Sequence, residues 1–415
     1  MVGLTAGGVT MALVALCYGE LAARFPTAGG EMLYSRAAFG PRMGFLVGWA
    51  LTLYAIGSCA FEAVAFGTLA RGLIPSLALP VAYHVGAWPV PWDGLLLGSC
   101  AAACIAGVHL RGARDAIRAQ NIVTFGFIGI IGVLIVVGLW RGDSANLEPL
   151  FAGASIGSAA MGVGGMFALS AFFLTGWQAA IHAIEERDAE TPVHTAVGWM
   201  LFGILGATAF YVAIAMAVGR ALPWRRLVGA DFPAAVAFQE VGGLVFAKIV
   251  IATALISLLK TWTAIAWMAS RLLVAQAREG LLPSFLCVID PRTGAPINAV
   301  VVTTAGSLLG LSAGRGALSP ILNMASICQA LTILLCLIGL LRLRRSSGAS
   351  ASYSVPNGVI VCALVSASLM IGAAVIAPVV RANGRIPPEW LLLAVWGGLG
   401  LVFSGLAVRR MKYES

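Results

Sequence analysis

Charge is what this chain has least of. Only 10% of its 415 residues are Asp, Glu, Lys or Arg, while 60% are hydrophobic. A soluble domain carries about 25% charged residues. So little charge cannot cover a water-facing surface, which excludes a soluble globular protein and leaves an integral membrane protein. Short alternating segments of a membrane barrel are also missing; the apolar runs are continuous and about twenty residues long. There is no Gly-rich phosphate loop of the GxxxxGK[ST] type, so the chain does not drive transport with ATP on its own. His84, His109, His182 and His194 are far apart and lack ligand spacing, and no Ser/His/Asp constellation is present, so no enzyme and no metal or other cofactor is expected. The eight cysteines form no CxxC pair, and six of them (Cys17, Cys59, Cys104, Cys328, Cys336 and Cys362) fall inside apolar runs, as ordinary packing thiols do. The net charge of +9 is scattered over short loops and not striped along one face, which argues against nucleic acid as a partner.

What remains is an all-α integral membrane protein. The apolar runs predict about eleven transmembrane helices, at 4–24, 43–70, 92–111, 119–140, 160–184, 195–219, 242–272, 297–313, 320–341, 357–378 and 389–408. The segment 222–241 reads as a short helix lying on the membrane face, and no soluble domain fits between the spans. Alternate loops hold about sixteen and about eight Lys and Arg. The richer side is cytoplasmic by the positive-inside rule. This puts the C-terminus in the cytoplasm and, with an odd number of spans, the N-terminus outside. The predicted location is the cytoplasmic membrane, multi-pass, with the lipid bilayer as the surrounding partner.

Three blocks carry a family resemblance. They are "CYGELAARFPTAGGEMLYSRAAFGPRMGFLVGW" (Cys17 to Trp49), "FALSAFFLTGWQAAIHAIEERDAETP" (Phe167 to Pro192) and "ASRLLVAQAREGLLPSFLCVIDPRTGAPINAV" (Ala269 to Val300). In that order and spacing they resemble amino acid permeases of the amino acid–polyamine–organocation superfamily over essentially the whole chain. The resemblance implies a LeuT-like inverted-repeat fold, five helices plus five with two trailing helices. On it, 1–140 is the remainder of the first repeat, 160–341 the second repeat and 357–408 the trailing pair, all in one transporter domain. The family normally has twelve spans, and here its Glu-Leu-Ala-Ala-Arg-Phe-Pro block follows a single apolar run. The charge count and the resemblance therefore agree on an incomplete first repeat. Either the start of the gene is misplaced, or the chain is a true eleven-span variant.

The function implied is secondary transport of an amino acid or related amine. The alternatives are a transport-inactive membrane sensor or scaffold, and a polyamine or organocation exchanger. Carriers of this kind bind substrate near the bilayer midplane, where a helix is broken and its peptide groups are released. Gly176 permits such a break in "FFLTGWQ". The resemblance places Thr175, Gly176 and Trp177 at the substrate, Phe172 one turn earlier as an aromatic gate, and Gln178 where some antiporting relatives have a glutamate. Close helix packing is the plainer role for these residues. His182, Glu185 and Glu186 follow at helical spacing as an inner polar cluster.

Lys260 stands in the oily run "ALISLLKTWTAIAWMAS". A charge at the bilayer centre costs about 2.5–3.5 kcal/mol on insertion scales and usually faces a cavity or a partner. Two readings stay open. Lys260 supplies the positive charge that makes sodium dispensable and couples transport to protons, or it reaches a polar surface or a fixed ion pair. Glu62 continues the stripe of Tyr54 and Ser58, and by depth it suits Lys248 better than Lys260 as a contact. Glu20 precedes Arg24 by four residues, the favourable order for a helical ion pair; the two read as gate or architectural residues.

Overall fold

The computed structural model describes the chain except residues 26–29, 75, 77, 112–113, 152, 154, 179–191, 231, 347–351, 383 and 414–415; of 114–123 and 405–413 it describes the backbone alone. Among the described residues the architecture is helical. The helices are α1 (Val2–Arg24), α2 (Gly30–Phe39), α3 (Pro41–Leu73), α4 (Trp92–Arg111), α5 (Arg114–Arg141), α6 (Ile156–Phe173), α7 (Val193–Ala221), α8 (Trp224–Leu227), α9 (Pro233–Arg278), α10 (Ile297–Ser312), α11 (Leu318–Ser346), α12 (Asn357–Arg381) and α13 (Pro388–Tyr413). Among the described residues nine helical stretches are long and apolar enough to cross a membrane, and two shorter apolar helices, Ile297–Ser312 and Pro388–Ser404, stand at the two remaining predicted spans. The chain is a multi-pass membrane protein.

Burial sorts the helices. α3 is the hub: α2, α4, α9, α10 and α11 all pack on it. α1 packs on α6, α7 and α12. The largest apolar cluster joins Met11, Tyr18 and Leu21 of α1 to Ile333, Leu337 and Leu340 of α11 and Ile360 of α12. α5 and α7 turn many large apolar side chains outward, among them Phe125, Val133, Trp199 and Phe202. An all-round apolar helix with an outward oily face is what a bilayer selects.

The segment read as one short surface helix over 222–241 proves to be two pieces. α8 covers only Trp224–Leu227, and helix resumes at Pro233 as α9, which kinks at Gly243. Gly243 has φ 72°, a left-handed value that a side chain disfavours. The surface piece and the span thus read as one helix with a corner in it.

Two features have no counterpart in the sequence reading. A hairpin of β1 (Val81–Val85) and β2 (Trp88–Pro91) pairs antiparallel with Val85 opposite Trp88. Its Tyr83 hydroxyl donates to the Ser312 carbonyl at 2.6 Å, and Arg315 lies over the Trp88 ring. The hairpin thereby fastens the α3–α4 connection to the α10–α11 connection. The second is a tryptophan pair. Trp49 on α3 and Trp396 on α13 stack with centroids 4.2 Å apart, and each indole N–H donates to the other residue's carbonyl, at 2.8 and 2.9 Å. Asn323 of α11 also donates to Glu389 of α13, at 2.8 Å.

Candidate functional site

α6 ends at Phe173. Leu174 closes its last turn through an N–H to the Ser170 carbonyl, and Thr175, Gly176 and Trp177 continue outside the helix. Gly176 has φ 101° with nothing within 4 Å of where a Cβ would stand. The glycine is therefore required by backbone angle and not by crowding. A helix end leaves carbonyl groups without intrahelical partners, and side chains of the break take up two of them. Thr175 Oγ1 donates to the Phe172 carbonyl at 2.7 Å, and the Trp177 indole N–H donates to the Leu174 carbonyl at 3.1 Å. Gln178 turns its side chain back, so that the Gly176 N–H donates to its Oε1 at 2.9 Å. The non-helical stretch after α6 is thus braced by its own residues.

α3 supports the break from across the bundle. Tyr54 Oη lies 2.7 Å from Thr175 Oγ1. Because that threonine hydroxyl already donates to a carbonyl, the consistent assignment has Tyr54 donating to it. Tyr54 and Phe61 flank Phe172 edge-on, with ring centroids 6.1 and 5.7 Å away. Trp177 meets Tyr18 of α1 edge-on at 5.2 Å. Phe172, Trp177 and Gln178 are buried, Thr175 is half-buried and Gly176 is exposed. The structure therefore brings Phe172, Thr175, Gly176, Trp177 and Gln178 together with Tyr54, Phe61 and Tyr18. An opened backbone beside an aromatic wall suits a small solute with both polar and apolar parts.

The ionisable residues divide. Lys260 is half-buried on α9 with no hydrogen-bond or ion-pair partner among the described residues. It shares a strip with Ile256, Ala264 and Trp267, all exposed. Ala269, which packs with Phe172 and Tyr54, is nine residues along the helix, hence on the opposite side. The structure does not bring Lys260 to the break. The contact between Glu62 and Lys248 is not formed either. Ala247, Ile251 and Leu255 pack toward Ala70 of α3, and Lys248, about 100° further round, is exposed. Glu62 is buried, and its Oε2 has no hydrogen-bond partner among the described residues.

Glu20 is fully buried and forms a cluster larger than the pair read from sequence. It accepts from Arg24 at 3.0 Å, from Arg344 Nε at 2.8 Å and through a second Arg344 contact, and from the Val355 N–H at 3.0 Å. Arg344 also donates to Asn357 Oδ1 and the Val355 carbonyl, both at 2.6 Å. One carboxylate so ties α1 to the end of α11 and to the segment before α12. Partial burial, with Cys17 and Glu20 nearby, raises the phenol pKa of Tyr353 in that segment. His182, Glu185 and Glu186 lie outside the described residues.

Sequence reasoning missed Arg344, counted only as a loop charge, and the link from Tyr54 to Thr175. For Tyr54 a signal existed: it sits on one helical stripe with Ser58 and Glu62. For Arg344 the only signal was an arginine close behind an apolar run.

Comparison with known proteins agrees with this architecture. The family model for amino acid permeases matches residues 1–401. The methylthioribose transporter of Bacillus subtilis is 24% identical over 97% of this chain and 84% of its own length. The branched-chain amino acid permease of the same organism is 24% identical over 78% of this chain and 70% of its own. A mitochondrial cationic amino acid transporter of Arabidopsis thaliana is 28% identical over 71% of this chain and 49% of its own. The chain spans about half the length of the plant transporters it matches.

Proposed function

The chain belongs to the amino acid permease family, whose members are membrane transporters and not enzymes, and from that premise we propose that it carries an amino acid or a related amine across the cytoplasmic membrane by alternating access. In this reading the C-terminus is cytoplasmic, 160–341 forms the second repeat, 1–140 the remainder of the first and 357–408 the trailing pair. The observation that carries the proposal is the end of α6 at Phe173, inside the apolar run 160–184, with Gly176 at φ 101°. A peptide N–H at such a helix end holds a carboxylate and a carbonyl holds an ammonium, in exchange for the side chains of Gln178, Thr175 and Trp177 that engage those groups here. A zwitterionic amino acid supplies both.

The named relatives carry solutes as different as methylthioribose, branched-chain and cationic amino acids. The wall of Phe172, Tyr54 and Phe61 favours an apolar substrate side chain. No acidic side chain joins those contacts among the described residues, which disfavours a polyamine. Coupling to protons in place of sodium is the accompanying proposal. It rests on Lys260 and Glu62, two ionisable side chains within helical spans that lack an ion partner among the described residues. Such groups are functional candidates by default inside a membrane.

The test is uptake of labelled neutral amino acids into proteoliposomes, with pH and sodium gradients imposed separately. Uptake driven by an acid exterior, persisting without sodium and lost in Gly176→Val, is the expected result. The coupling proposal adds that Lys260→Met or Glu62→Gln uncouples uptake from the pH gradient. Full activity in Gly176→Val removes the site; strict sodium dependence removes the proton.

A further inference from the structure

The connection between α3 and α4 is unusual in what it omits. Residues 72–92 contain no Asp, Glu, Lys or Arg. A connection that runs through water is built mostly of polar and turn residues. Here Val81, Tyr83, Val85 and Trp88 of the hairpin are all exposed, and so is Trp92, the first residue of α4. Trp88 and Trp92 keep 49% and 50% of their surface outside the protein, so the chain itself covers only half of each residue.

This oily rim is held in place. The Tyr83 hydroxyl is bound to the Ser312 carbonyl, and Arg315 lies over the Trp88 ring. Two glycines of the α10–α11 connection let the hairpin sit close. A Cβ on Gly314 would stand 2.6 Å from Val90, and one on Gly316 would stand 2.4 Å from Trp88. The apolar surface that remains is therefore presented by a fixed frame. It also continues into a membrane span. β2 runs into α4 with no residue between them. Leu96, Cys100, Cys104 and Val108, four residues apart, carry the exposed side of α4 onward through a helix apolar enough to cross a membrane.

Depth follows from the backbone. A two-stranded sheet has open edges, and unpaired N–H and C=O groups are not tolerated in hydrocarbon. Pro89 and Pro91 take two N–H donors off β2, but the carbonyls remain. The hairpin is thereby excluded from the bilayer core. Its uncharged, aromatic surface is equally ill suited to bulk water. The headgroup region offers water to the edges and apolar cover to the rings, and tryptophan and tyrosine concentrate there.

We propose that the β1–β2 hairpin is an interfacial anchor, lying in the headgroup region of the adjacent leaflet with its exposed apolar side chains at the acyl boundary. The partner is the phospholipid surface. A protein partner would have to stop at the hairpin or follow α4 down into the bilayer, whereas lipid covers both without a seam.

The test places the photo-crosslinking residue p-benzoyl-phenylalanine at Val85, and separately at Val81, of the full chain in bilayers of phosphatidylcholine and phosphatidylglycerol. Intact-mass spectrometry follows irradiation. Leu96, on the exposed side of α4, is the lipid-facing reference. Ala145 is the water-facing one. It is exposed between Asp143 and Glu148 in the α5–α6 connection, at the same membrane face as the hairpin once α4 and α5 have each crossed. Both hairpin positions should gain the mass of one phospholipid, at a yield near that of Leu96 and about fivefold above that of Ala145. Yields at both hairpin positions equal to that at Ala145, or capture of a second protein chain in place of lipid, overturn the proposal. The readout is a mass and needs no transport, so its failure leaves the permease reading intact.

Discussion

Replacing Glu20 by glutamine keeps the side-chain shape and removes its charge. In the native protein this carboxylate is wholly out of solvent and accepts from Arg24, from Arg344 at two nitrogens and from the Val355 N–H. A hydrogen bond to a charged group contributes about 1.5–3 kcal/mol, and breaking a buried ion pair by removing one partner costs about 3–5 kcal/mol. Arg24 and Arg344 retain 13% and 17% exposure, so water recovers part of that loss and the expected destabilisation is about 2–3 kcal/mol. The assay is a double-mutant cycle of Glu20→Gln and Arg344→Met, each followed by denaturant unfolding in the same micelle. Because one contact is removed twice, the double variant should lose about 2 kcal/mol less than the two single losses added. Strict additivity, within about 0.5 kcal/mol, would refute the view that Glu20 and Arg344 act as one unit. Arg344→Met alone should cost more than Glu20→Gln, since it also abandons Asn357 and the Val355 carbonyl.

Other outcomes follow from single contacts. Gly176→Ala forces a side chain onto φ 101°, at about 1–2 kcal/mol, and uptake should fall at least tenfold with unchanged membrane insertion, read by paired uptake and immunoblot. Tyr54→Phe removes one hydrogen bond to Thr175, about 1 kcal/mol, and should raise the uptake KM while lowering the melting temperature only slightly. Gly243→Ala strains the corner of α9 and should lower the melting temperature without altering substrate affinity.

Much of the fold was legible because a bilayer demands long apolar runs and leaves few alternatives to helix. The departure from helix at 175–177 was legible because glycine in the middle of such a run is costly unless the backbone uses it. The Glu20–Arg24 pair was legible because its partners lie within one helical turn. Contacts between distant elements were not. Nothing in sequence says that Arg344 comes back to Glu20, 324 residues away. Depth arithmetic suited Lys248 to Glu62, but depth does not fix the rotation of a helix, and the packing of Ala247, Ile251 and Leu255 turns the lysine outward. The hairpin at 81–91 escaped because a two-stranded ribbon of a few residues leaves no periodic trace against helical surroundings.

The reciprocal bonds between Trp49 and Trp396, with the Asn323–Glu389 link nearby, bear on how such a machine rocks. Each indole satisfies its neighbour's backbone, so the interlock cannot loosen by halves. During a turnover the central pillar and the last helix are expected to travel as a single block.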